Sequence, residues 1–96
     1  MKTIYPDDSG NIIIEIKELE RIEVQLGAGQ YTAYLQVGEQ LRSLPTGSTF
    51  DTGKNIFYWQ PGPGFYGTYT LVFLVKDASG RRLKKNIMIN IRPKFL

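Results

Sequence analysis

The sequence predicts an all-β fold: an antiparallel sandwich of about seven short strands in Greek-key order. Three observations carry this. Apolar and polar residues alternate with a period of two in segment after segment, as half-buried strands require. Turn-forming residues recur at roughly eight- to twelve-residue intervals, a spacing typical of sandwiches and barrels, and ten glycines and five prolines supply many of them. Helical spacing is weak. Glu15 to Arg21 could form one helical turn, but its Ile-rich flanks favour strand.

The first strand is Asn11–Lys17, with Ile12, Ile14 and Ile16 on one face and Glu15 and Lys17 on the other. Arg21–Leu26 follows, turning Ile22, Val24 and Leu26 inward. Gly27-Ala28-Gly29 breaks it. Tyr31–Val37 forms a third strand through Tyr31, Ala33, Leu35 and Val37, and Gly38 turns it. A short edge segment, Glu39–Leu44, ends at Pro45, which has no N–H to donate to a ladder. The polar stretch Thr46–Asn55 reads as loop. Ile56–Gln60 places Phe57 and Trp59 inward, with Ile56 and Tyr58 as the alternative register. Gly67–Lys76 is the longest clean strand, carrying Tyr69, Leu71, Phe73 and Val75 on one side. Asp77-Ala78-Ser79-Gly80 is a hairpin connection, in which Asp caps the turn backbone and Gly supplies a positive φ. The last strand, Arg82–Arg92, turns Leu83, Ile87, Ile89 and Ile91 inward, and Pro93 ends it. Residues 11–92 thus form one domain, with residues 1–10 and 93–96 as tails or linkers.

Composition narrows the chemistry. Of 96 residues, 42% are hydrophobic and 22% charged, which suits a globular domain with one modest core. The chain has no cysteine and no histidine. Thiolate metal sites, thiol catalysis and Ser-His-Asp devices are therefore excluded. The expectation is a non-enzymatic domain without a cofactor. Charge is uneven: residues 1–53 hold four Lys/Arg against eight Asp/Glu, and residues 54–96 hold eight against one, Asp77. Two oppositely charged sheet faces, or an anion-binding patch, would explain it.

One constellation is more specific: Trp59-Gln60-Pro61, then Gly67-Thr68-Tyr69, then Asp77-Ala78-Ser79-Gly80. The order W-x-P, G-x-Y, D-x-x-G resembles the immunoglobulin-like and cadherin-like domains that occur as tandem repeats in bacterial surface proteins. The resemblance covers roughly residues 46–91. It implies an immunoglobulin-like β-sandwich and a tyrosine corner at Tyr69, with Tyr66 as its rival. It further implies an extracellular or cell-surface setting within a larger protein. No apolar signal-peptide core occupies Met1–Pro6. The chain departs from antibody domains in having no cysteine pair, and it lacks the acidic calcium linkers of true cadherins.

Several residues could serve interactions. Val72, Leu74 and Met88 form an apolar face that a neighbouring domain could cover. Arg81, Arg82, Lys84 and Lys85 form the densest basic run, read either as an anion grip or as a solvated hairpin arm. Nucleic acid is the less favoured anion, because no matching aromatic motif accompanies the run. The aromatics Phe57, Tyr58, Trp59, Phe65 and Tyr66 could stack on sugars, but core packing accounts for alternate members. Asp7-Asp8-Ser9-Gly10-Asn11 could supply part of a calcium site, but such a segment is more often just a turn. These features point to a structural or adhesion module. The alternative is a carbohydrate-binding accessory module of a secreted glycoside-active enzyme. An in-line spacer further requires chain ends, near residues 10 and 92, at opposite poles.

Overall fold

The computed structural model describes residues 2–6 and 11–93. Nine strands are present among them: β1 (Lys2–Ile4), β2 (Asn11–Lys17), β3 (Ile22–Gln25), β4 (Gln30–Val37), β5 (Gln40–Arg42), β6 (Thr49–Asp51), β7 (Ile56–Trp59), β8 (Gly67–Lys76) and β9 (Arg82–Arg92). They form a four-stranded sheet, β1-β3-β7-β6, and a five-stranded sheet, β2-β9-β8-β4-β5. All pairs are antiparallel except the two at one side of the sandwich, where β1 runs parallel to β3 and β2 parallel to β9.

The core follows the predicted alternation. Ile14, Ile16, Ile22, Val24, Phe57, Trp59, Leu71, Phe73, Ile87 and Ile89 are buried between the sheets. Phe57 and Trp59 face in, so the alternative register through Ile56 and Tyr58 is not the one adopted. Edge-to-face ring contacts knit the centre: Phe73 meets Phe57 at 5.8 Å and Phe50 at 5.7 Å, and Trp59 meets Tyr69 at 5.2 Å. Such pairs add about 0.5–1.5 kcal/mol each beyond area burial.

Two strands lie where none was expected. Lys2–Ile4, assigned to a tail, pairs with Ile22–Val24. Thr49–Asp51, assigned to a loop, pairs with Ile56–Tyr58 and brings Phe50 against the core. Three-residue strands are too short to show alternation. Leu83, read as inward, is exposed at the second position of β9, and Val37, also read as inward, is exposed at the last position of β4.

Turn chemistry fits the sequence. Asp77 Oδ1 accepts bonds from the Ser79 and Arg81 amides and from the Ser79 hydroxyl, at 3.0, 2.9 and 2.7 Å. Gly80 has φ +85°. Gly29 is held for another reason as well. Its φ is +136°, and a Cβ there would lie 2.5 Å from Val75 Cγ2.

Candidate interaction surface

The outer face of the five-stranded sheet can be assembled from the pairing register. One cross-strand row is Tyr34, Val72, Asn86 and Asn11; the next toward the β8–β9 hairpin is Thr32, Leu74 and Lys84; the last is Gln30, Lys76 and Arg82. On the other side of the Val72 row lie Leu41, Gln36, Thr70, Met88 and Ile13.

The structure separates the expected interaction residues. Leu74 and Met88 are partly exposed on this face, whereas Val72 is fully buried. Tyr34 and Asn86 flank Val72 in register, so the row covers itself. Ile13, 71% exposed beside Met88, is the larger apolar feature. Its position in the first strand was legible, but its exposure was not.

The basic run also splits. Arg81, Arg82 and Lys84 are exposed; Lys85 is buried at 7% exposure. Strand alternation turns Lys85 inward, where its Nζ donates to Leu26 O and to the Tyr31 hydroxyl, both at 3.2 Å, and lies over the Tyr31 ring. The Tyr31 hydroxyl itself donates to Leu26 O at 2.7 Å. Lys85 is therefore part of the fold and not of the surface.

Lys76 joins the exposed cations. It stands directly opposite Arg82 across the hairpin. Like charges so placed destabilise a sheet by up to about 1 kcal/mol. Counting outward from the turn at Asp77–Arg81 would have revealed this pair in the sequence. A depression of about 470 Å³ is lined by Gln30, Thr32, Leu74, Lys76, Arg82 and Lys84, with Tyr31, Val75 and Leu83 beneath or beside them. Among the described residues no carboxylate pairs with Lys76, Arg82 or Lys84; the ion pair that is present, Arg92 with Glu15 at 2.9 Å, lies at the opposite pole. Asp77, next to the cluster, is tied into its own turn. The Ser79 hydroxyl bond, more than any other interaction, holds its carboxyl below the ordinary 3.8.

The motif residues are structural. Trp59 and Pro61 are buried, Tyr69 is half-buried against Trp59, and Gly67 has φ +106°. Among the described residues, neither expected tyrosine forms a corner to backbone. Tyr69 packs its ring on Trp59 and Phe65. The Tyr66 hydroxyl bonds Glu18, and its pKa is raised, first by desolvation and then by that carboxylate. Tyr31 supplies the hydroxyl-to-backbone anchor instead. Trp59 Nε1 is buried without a partner among the described residues. Of the sugar-stacking candidates, Phe57 and Trp59 are in the core, Phe65 leans on Trp59, and Tyr58 lies under Arg21 on the other sheet. Asp7 and Asp8 lie outside the described residues, within which no group of three acids could hold a metal ion. Among these residues no helix is long and apolar enough to cross a membrane.

Lys2 and Arg92 share a pole. Asn11 lies beside Asn86 and Lys17 beside Arg92, so residues 11 and 92 are indeed at opposite ends of β2. But β1 runs back: Lys2 N donates to Arg21 O at 2.9 Å and Lys2 Nζ to Glu15 O at 3.0 Å, while Glu15 carries the ion pair to Arg92. Lys2 and Arg92 are thus bridged by one residue. The Pro61–Tyr66 loop sits at this same pole, with Pro61 O accepting from Leu19 N. The basic depression is at the other.

No family model matches the chain, and no curated protein sequence matches it. Solved structures do. The chain is similar to part of an endo-fucoidan hydrolase of glycoside hydrolase family 107, at 13% identity and a TM-score of 0.57 over 91% of this chain. It spans only 13% of that hydrolase chain. It is also similar to a chain of the titin–obscurin-like 1 Ig complex, at 13% identity and a TM-score of 0.54, covering 88% of this chain and 89% of that one. With the two-sheet strand order above, these likenesses make the fold an immunoglobulin-like β-sandwich.

Proposed function

We propose that this chain is a non-catalytic, immunoglobulin-like interaction module of a larger cell-surface or secreted protein, joined at one pole and binding with the rest of its surface. The observation that carries the reading is the Glu15 bridge between Lys2 and Arg92. Sequence continuing from either end leaves from that pole, so the domain projects from its neighbours as a side-hung unit. An in-line spacer is the weaker form of the adhesion reading for the same reason. The non-catalytic assignment rests on a composition with no histidine and no cysteine. A second reading, an accessory module of a glycoside-active enzyme, gains support from the likeness to a stretch of a fucoidan hydrolase.

The chain has no native cysteine, so it can be spin-labelled cleanly at Lys2→Cys and Pro93→Cys. Pulsed dipolar distances should centre below about 20 Å, the length of the seven-residue β2 strand. A distribution centred well beyond that length would place the ends at opposite poles and restore the in-line spacer.

A further inference from the structure

We propose that the hairpin end of the five-stranded sheet's outer face binds an anionic polysaccharide, one bearing sulfate or carboxylate groups along its length. The inference deepens the interaction-module reading and rests on it. Lys76, Arg82 and Lys84 share one face and one depression, with Gln30 and Thr32 adding uncharged hydrogen-bonding groups at its β4 side. Every strong polar group on that rim can donate to an anion. Leu74 lies between Thr32 and Lys84 and is 38% exposed. It offers an apolar seat for the C–H face of a sugar ring, which a bare sulfate would not need.

The cations stand on a regular ladder. Lys76 and Arg82 are direct cross-strand neighbours, and Lys84 follows two residues along β9, about 7 Å further. Their Cα spacing is set by backbone hydrogen bonds, so the side-chain rotamers, and not the strands, have to be ordered on binding. A repulsive Lys–Arg pair held this way is relieved by an anion placed between them. The site lies at the pole away from Lys2 and Arg92.

Nucleic acid fits less well. Single strands need an open aromatic face for base stacking. The aromatic in the depression, Tyr31, has its ring against Phe50 and under Lys85 and its hydroxyl on Leu26 O.

The test uses the whole chain against heparin, polygalacturonate and single- and double-stranded DNA, by calorimetry at about 150 mM salt. Two charge-matched variants are compared: Lys76→Gln/Arg82→Gln/Lys84→Gln, and Lys17→Gln/Arg21→Gln/Arg42→Gln elsewhere. Melting curves first establish that both are folded. The first should lose at least about tenfold in glycan affinity, and the second should stay within about twofold. The preference between heparin and polygalacturonate then identifies the anion as sulfate or carboxylate. Equal losses in both variants, or no glycan binding by the parent chain, overturn the proposal. Tighter binding to DNA than to either glycan replaces the polysaccharide with nucleic acid. The label-distance measurement is independent of all these outcomes, so the site can fail while the side-hung module stands.

Discussion

Lys85 occupies an inward position of β9 between Leu83 and Ile87, where alternation calls for an apolar side chain. Arg81, Arg82 and Lys84 precede it, so Arg81–Lys85 reads as one solvated run. The inward set Leu83, Ile87, Ile89 and Ile91 already puts Lys85 on the core side by parity, and the charge run masks it. What lets an amine sit there is Tyr31, whose hydroxyl donates to Leu26 O and accepts from Lys85 Nζ. Tyr31→Phe removes one bond to Leu26 O and one acceptor from the ammonium, and should cost about 1–3 kcal/mol in a urea melt. Lys85→Met, which keeps the volume and removes the buried charge, should cost less than Tyr31→Phe. If the tyrosine variant melts like the parent, the hydroxyl is not what satisfies the lysine. The tyrosine anchor was expected at Tyr69 or Tyr66. The resemblance pointed to those two of the six tyrosines, but which hydroxyl anchors depends on which carbonyl comes near.

The β8–β9 hairpin is the element most fully legible in the sequence, and Asp77 is why. Its carboxylate closes the turn through two amides and a hydroxyl. A lowered pKa in the folded state means that the stabilisation is complete above the ordinary 3.8 and disappears as pH falls through the depressed value. In an NMR acid titration, the Ser79 and Arg81 amides should shift with a midpoint below 3.8, and Asp77→Asn should abolish the transition. A midpoint at or above 3.8 would show that the turn bonds do not favour the charged carboxylate. β1 and β6 were illegible by contrast. Each is three residues long, and each is fixed by a partner strand rather than by its own pattern. The parallel pairings of β1 and β2 are likewise set by the chain passing between sheets at the sandwich edge, which no local signal encodes.

At the scale of the molecule, the two sheets share one core, and Leu71 lies fully buried within it. Leu71→Ala should cost about 2–5 kcal/mol, because the surrounding Ile and Phe side chains can only partly close the cavity. A loss below about half a kilocalorie per mole in denaturant would contradict burial of that position. The charge imbalance between the chain's halves does not sort onto opposite sheet faces. Lys76, Arg82 and Lys84 come together at the hairpin end of the face whose other end holds the Arg92–Glu15 pair. Finally, the shared pole of Lys2 and Arg92 fixes how the domain responds to force. Tension applied at Lys2 and Arg92 enters β1 in one sheet and β9 in the other from the same pole. The ladders then open bond by bond from that pole, as a zipper does, instead of sharing the load in shear. A domain loaded this way would be a weak link in a chain under tension.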